Sequence, residues 1–287
     1  MEIFERMPLN LDYLSHLRFD PVETTLTDRD AMLYALSIGL GRNPEDSHDL
    51  RYVYERDLKV FPTMPLVVGH PGNWTSDPRT GVTRAMVVHG GQRLTTHCEL
   101  PLGVPVTTTN KITGIFDKGE RGAVVIIERE SFDKGSGTLI ARSESSVFCR
   151  ADGGFGGPGG PAYEFQPIPD CCAQTQLEVS TPDNAALLYR LNQDRNPLHA
   201  DPEIAHKAGF PRPVLHGLCT LGMAAVAIAK VFPNRTLRSI EARFSKPIFP
   251  GELMTIDLWA VDNEMAFRTR VAARNVAVLD RGRAIFD

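Results

Sequence analysis

The chain has 287 residues, 42% of them hydrophobic and 23% charged, with a net charge of -4; that is enough sequence for one large domain or two ordinary ones. A pI near 6.1 supplies no basic footprint, so no nucleic-acid partner is expected. No apolar run reaches the roughly 20 residues of a membrane span, and the longest candidate, 215–232, is broken by His216, Gly217, Gly222 and Lys230.

The N-terminal residues are acidic early and lack an apolar signal core, so no secretory route is expected. Cys98, Cys149, Cys171, Cys172 and Cys219 are an odd number without a C-x-x-C pair, which suits a reducing compartment. The last residues, Ala284-Ile285-Phe286-Asp287, do not match the peroxisomal S-K-L address. A cytoplasmic protein without membrane association is the expectation.

In chain order, Thr27 followed by Asp30 opens a first helix, with Ala31, Leu33, Tyr34, Leu36 and Ile38 as its apolar stripe and Gly39 and Gly41 as its end. His70-Pro-Gly-Asn and Trp74 read as a surface loop, unless they flank a pocket. Val87-Val-His89-Gly90 follows, then strand-like runs at 106–116, 123–128 and 139–148. The glycine-rich stretch 152–161 lacks the Lys-Ser/Thr of a phosphate loop and reads as a linker between halves 1–155 and 162–287.

The second half repeats the order of the first. Thr181-Pro182-Asp183 starts a helix carrying Ala185, Leu187, Leu188 and Leu191. Val214-Leu-His216-Gly217 opens a run, 215–232, that is apolar nearly all round and must be buried on most sides. Strand-like runs at 238–247, 253–261, 266–273 and 276–286 follow. A diverged duplication explains the parallel, with a sheet curled around a long helix. Arg268, Arg270, Arg274, Arg281 and Arg283 alternate with apolar residues as on a solvated strand face.

The informative segment is Tyr189-Arg-Leu-Asn-Gln-Asp194-Arg-Asn196-Pro197-Leu-His199-Ala-Asp201-Pro202. Pro197 disfavours helix at Asn196, so the helix begun at Pro182 should end near Asp194. Asp201 and Pro202 then cap and start another. Asp194, Asn196 and His199 therefore lie on a bent connector, where a carboxylate and an imidazole can converge on one water and move its protons. Asn196 either holds that water or fixes the connector. The plainer alternative has Asp194 capping a helix end and His199 packing on the bend.

Gly217 falls in the first turn of the buried helix, where backbone N–H groups are unpaired and the dipole favours negative charge. Without a side chain it lets a substrate oxygen approach, as an oxyanion hole requires; close helix-on-sheet packing explains a glycine there equally well.

At these residues the chain closely resembles the hydratase 2 family, MaoC-like proteins of the hot-dog superfamily that include the (R)-specific 2-enoyl-CoA hydratase domains of type 2 peroxisomal multifunctional enzymes. The likeness spans nearly the whole chain: Asp30 to Gly39, Val88-His89-Gly90-Gly-Gln92, Phe116-Asp117-Lys118-Gly119, the Gly-Gly-Phe-Gly-Gly linker, Asp194 to Pro202, Leu215 to Thr220 and Ala242 to Gly251. It implies an α+β double hot-dog, two repeats each with an antiparallel sheet wrapped around a long helix. It also implies a non-catalytic N-terminal repeat opened for the acyl chain and a catalytic C-terminal repeat.

By matching position, Asp194, Asn196 and His199 would hold the attacking water and Gly217 would supply the oxyanion N–H. His89, Gly90, Lys118 and Phe244 would contact the acyl-CoA. The implied activity is reversible hydration of trans-2-enoyl-CoA to (3R)-hydroxyacyl-CoA, with no metal or organic cofactor because CoA is part of the substrate, in a homodimer. The first half has no D-x-N-P-x-H, so one site per chain and a stand-alone hydratase are expected.

Other readings are a dehydratase working in reverse on 3-hydroxyacyl thioesters, a hot-dog acyl-CoA thioesterase, and a non-catalytic acyl-CoA binding protein. A metal site of Asp194, His199, Asp201 and His206 is weighed too, but His206 falls on a short helix as a solvent-facing residue.

Overall fold

The computed structural model describes residues 9–160, 164–262 and 264–287. Among these, the first half contributes β1 (Val22–Thr25), β2 (Val87–Thr96), β3 (Pro105–Asp117), β4 (Ala123–Asp133) and β5 (Leu139–Cys149). The second contributes β6 (Thr175–Ser180), β7 (Leu237–Phe244), β8 (Leu253–Val261), β9 (Glu264–Val271) and β10 (Val276–Phe286). All pair antiparallel in one sheet of order β1-β3-β4-β5-β2-β7-β10-β9-β8-β6. The order is a mirror: β1 answers β6, β3 answers β8, and β2 and β7 meet at the centre. Every strand-like run expected from alternation is a strand. The short outer β1 and β6 bury only alternate residues halfway and announce themselves less.

The helices are α1 (Leu11–His16), α2 (Asp28–Ser37), α3 (Ser47–Val53), α4 (Ala185–Tyr189), α5 (Pro202–Lys207) and α6 (Gly217–Val231). In α6 every residue from Cys219 to Ala229 except Ala227 is buried, as the all-round apolar pattern requires. Leu221, Met223 and Ile228 are fully enclosed, each contributing about 1.5–3 kcal/mol by burial. Gly222 lets α6 cross α2 closely, because a Cβ there would lie 2.6 Å from Ile38 Cγ2. Asn192 Nδ2 donates to Ser37 Oγ at 2.9 Å beside this crossing, so the halves share a core.

A long helix in each half is not what the described residues show. Where the second half has α6, the first has 3-10 turns at Met64–Val67, Trp74–Ser76, Pro78–Thr80 and Arg84–Met86. Pro62, Pro65, Pro71 and Pro78 recur here and interrupt any helical bonding. The buried carbonyls of this stretch then need side-chain donors. Arg129 donates to Leu66 O (2.9 Å) and Val68 O (3.1 Å), and Asn110 Nδ2 to Gly69 O (3.0 Å).

Local details also differ from expectation. Thr27 caps α2 with Asp30 in a reciprocal capping box, but the buried stripe is Ala31, Tyr34, Ala35 and Ile38, with Leu36 exposed. In α4 the buried residues are Ala185, Ala186 and Tyr189, whereas Leu187 and Leu191 face solvent. Thr181 does not cap α4, because its hydroxyl donates to Glu252 O. The two His-Gly segments are not equivalent, since His89 lies on β2 whereas His216 precedes α6.

The glycine-rich stretch is tied down through residue 160. Asp117 accepts from the N–H groups of Gly154 (2.8 Å) and Gly156 (2.7 Å), and Lys118 Nζ donates to Gly159 O (3.1 Å) and Gly160 O (2.5 Å). The C-terminal arginines are engaged rather than free: Arg268 pairs with Asp280, Arg270 with Asp257 and Arg274 with Glu252, and Arg283 donates to Pro167 O.

Candidate active site

The helix before the connector stops at Tyr189, five residues short of Asp194. Asn192 folds back on it, its N–H and Nδ2 both donating to Tyr189 O, and Gln193 takes a left-handed turn at φ 76°. That turn, and not Pro197, ends the helix. Asp194 Oδ1 accepts from Asn196 N at 3.2 Å. Asn196 caps the 3-10 turn Pro197–His199, its Oδ1 accepting from Leu198 N at 3.1 Å, so its carbonyl oxygen fixes the connector. Asp201 caps α5 as expected.

The connector is laced to the segment entering α6. Val214 N donates to Leu198 O at 3.4 Å. His199 Nδ1 lies 2.8 Å from Val214 O; a carbonyl only accepts, so Nδ1 carries the proton and Nε2 keeps a lone pair. His216 Nε2 lies 3.2 Å from Asp194 O and 4.0 Å from Asp194 Oδ2. The His199 and His216 rings stack at 3.6 Å and 24°. One ligating atom each from Asp194, His199 and His216 falls within 4.8 Å of the others, while the Asp194 side chain is 51% exposed. A carboxylate open to solvent thus faces two largely enclosed imidazoles.

Burial dominates the electrostatics. It lowers the pKa of His199, against the opposing pull of Val214 O and the Asp194 charge. It pushes His216 down to about 3, helped by the His199 charge. Both rings are neutral near pH 7, as acceptance of a proton requires.

Gly217 is the first residue of α6, and His216 at the N-cap makes no side-chain capping bond. The first-turn N–H groups are not covered from within, which suits an incoming oxygen. A Cβ on Gly217 would lie 3.3 Å from the Phe244 ring, so close packing is real here too.

Phe244 in turn meets His89 edge-on, centroids 4.6 Å apart. His89 Nε2 is buried without a hydrogen-bond partner. Of the residues expected to touch substrate, Phe244 therefore adjoins Gly217 and His89 packs behind it on the Phe244 ring. Gly90 lies at a β2 bulge against Ser146, and Lys118 is committed to the glycine-rich stretch. Asp201 and His206, weighed as metal ligands, are engaged elsewhere: Asp201 caps α5, and His206 Nε2 contacts Pro211 O.

Sequence reasoning missed two contributors. His216 was visible only as the histidine of a His-Gly pair, and its link to Asp194 spans 22 residues. Tyr189, fully buried, sets its ring 5.0 Å from that of His216. His70 is exposed, as the surface-loop reading expects, and its Nδ1 accepts from Gly72 N at 3.2 Å.

A mirrored ten-stranded sheet, one enclosed helix and a bent connector against that helix's first turn define a double hot-dog protein of the MaoC-like kind. Residues 164–281 match the MaoC like domain and residues 25–151 the MFE-2 hydratase 2 N-terminal domain. The chain is 35% identical to the peroxisomal enoyl-CoA hydratase 2 of Arabidopsis thaliana, over 94% of this chain and 93% of the relative. It is 36% identical to 3-hydroxyacyl-thioester dehydratase Y of Mycobacterium tuberculosis, over 92% and 93%. The full-length peroxisomal multifunctional enzyme type 2 of Drosophila melanogaster superposes with a TM-score of 0.78 at 32% identity, covering 94% of this chain and 48% of that one. A Mycobacterium tuberculosis protein described as having a double hot-dog fold matches in shape alone, at TM-score 0.57 and 15% identity over 94% and 97%. The chain belongs to the MaoC-like hydratase 2 family. No helix among the described residues is long and apolar enough to cross a membrane.

Proposed function

We propose that this chain is an (R)-specific 2-enoyl-CoA hydratase, adding water reversibly to trans-2-enoyl-CoA to give (3R)-hydroxyacyl-CoA. The observation that carries the reading is the convergence of Asp194, His199 and His216 within 4.8 Å, directly before the uncapped first turn at Gly217. The Gly217 N–H donates to the thioester oxygen and draws charge from C3. Asp194 accepts one O–H of the water and orients it. His199 Nε2 takes the other proton as the water oxygen bonds to C3. The imidazolium then returns that proton to C2 on the same face, so one water is added and the site is restored.

Asn196 keeps the connector in shape, and His89 and Phe244 line the thioester side. Gly90 and Lys118 are weaker substrate contacts on this reading. No metal or organic cofactor enters these steps, since CoA arrives with the substrate. Residues 162–287 form the catalytic repeat, and residues 1–155 accommodate the acyl chain where no long helix fills the described half. We place the protein in the cytoplasm as a homodimer, which light scattering on the purified chain would check.

Crotonyl-CoA is the test. Loss of enoyl absorbance without thiol release, with (3R) product, supports the reading; thiol release would instead make the protein a thioesterase. Asp194→Asn and His199→Ala should abolish turnover with the fold intact; unchanged turnover would put the chemistry on other residues, whereas a wild-type chain that binds crotonyl-CoA without turning it over would be a non-catalytic binding protein. Dehydration of 3-hydroxyacyl thioesters is the same chemistry in reverse and is named in the Mycobacterium relative.

A further inference from the structure

We propose that His216 is a positioning residue whose Nε2–H, donated to the Asp194 carbonyl, keeps the water-gripping connector in register with the first turn of α6. The proposal rests on the hydratase reading and adds to it a residue that touches neither water nor substrate in that scheme.

The N-cap of a helix is usually Ser, Thr, Asp or Asn, with its side chain turned back onto the helix's own N–H groups. His216 holds that position with extended backbone, φ -60° and ψ 136°, and makes no such bond. Its ring turns to the connector instead, where Nε2 is 3.2 Å from Asp194 O. The side chain is 2% exposed and clasped between Tyr189 at 5.0 Å and His199 at 3.6 Å, so it has no room to swing.

Geometry assigns each bond of the lacing an end to hold. The bond from His199 Nδ1 to Val214 O fixes the imidazole end of the connector, while His216 fixes the carboxylate end. Because Gly217 is the next residue, one side chain sets where Asp194 stands relative to the oxyanion donor. Its donor tautomer leaves Nδ1 as a buried lone pair without a partner. That is a cost which packing alone would not ask for.

Misplacing a reacting group by about 1 Å costs on the order of 100-fold in rate, and this sets the scale expected. His216→Phe keeps a flat ring against His199 but has no N–H. His216→Gln loses the ring but carries an amide N–H at the reach of Nε2. With crotonyl-CoA, the Phe variant should lose about 100-fold in kcat with KM little changed, and the Gln variant should recover most of that loss. Should the Phe variant not fold by circular dichroism, His216→Asn, whose amide falls at the Nδ1 position, takes its place. Wild-type rates in the variant without the donor, or a folded Gln variant as slow as the donor-free one, would overturn the proposal. A wild-type protein that leaves crotonyl-CoA untouched fails the hydratase reading itself, so the two are judged separately.

Discussion

His199 lies face to face with His216, ring centroids 3.6 Å apart and planes 24° from parallel, so a proton on either ring disfavours one on the other. Burial first, and this mutual repulsion second, hold His216 far below an ordinary histidine, leaving His199 as the member of the pair that can carry charge in turnover.

Activity should therefore persist into mild acid. Burial holds the His199 pKa below its ordinary 6.5, and the ring must be neutral to accept a proton. The acid limb of kcat/KM should fall below pH 6.5, with a flat profile above it to about pH 7.5. A limb centred above 6.5 would assign the proton transfer to another group.

Fold stability should fall over the same acidic range. The folded pKa values of His216 and His89 are pushed from 6.5 to about 3 and about 4, chiefly by burial. Below pH 6.5 the unfolded chain takes up protons that the folded one refuses. Stability present above 6.5 is thus lost progressively toward pH 4. The melting temperature should drop between pH 7 and pH 4.5, and less steeply in His89→Gln.

Gly217→Ala should cost about 10- to 100-fold in kcat while the chain still folds. The added methyl meets Phe244 at 3.3 Å and displaces either the ring or the first turn of α6. Phe244→Ala in the same chain should restore part of the loss. A double-mutant cycle with no coupling would show that the ring and the glycine do not share the space.

Gln193→Gly should stabilise the protein by about 1 kcal/mol, since Gln193 is held at φ 76°, where a Cβ is unfavourable and glycine is not. Urea unfolding reads this directly; a destabilised variant would mean that the exposed Gln193 side chain makes a bond of its own.

Arg129→Leu should cost roughly 2–5 kcal/mol, because it strips donors from the carbonyls of Leu66 and Val68, which the irregular stretch cannot satisfy itself. Wild-type denaturation midpoints in this variant would show that water replaces the guanidinium.

What the chain made legible is what local rules govern. The caps at Thr27 and Asp201, the enclosed α6 and the strands β8 and β10 follow from neighbours a few residues apart. The side on which a helix is buried was harder to read, because Leu36, Leu187 and Leu191 are apolar and still exposed; an apolar residue permits burial without compelling it. The end of α4 escaped because a left-handed Gln193 is unfavourable and so not anticipated. Within the site, Asp194 and His199 could be named because a proline bends the four residues between them. The tie from His216 to Asp194 is made by folding and has no signature in spacing.

The mirrored strand order has a consequence for cutting the chain in two. β2 and β7 come from opposite halves and hydrogen-bond to each other at the middle of the sheet. Neither half owns both sides of that seam, and either one alone would present a naked row of amides and carbonyls, open to fusion with any passing strand. A protease nick between residues 153 and 160 should therefore leave two fragments that travel together on a sizing column.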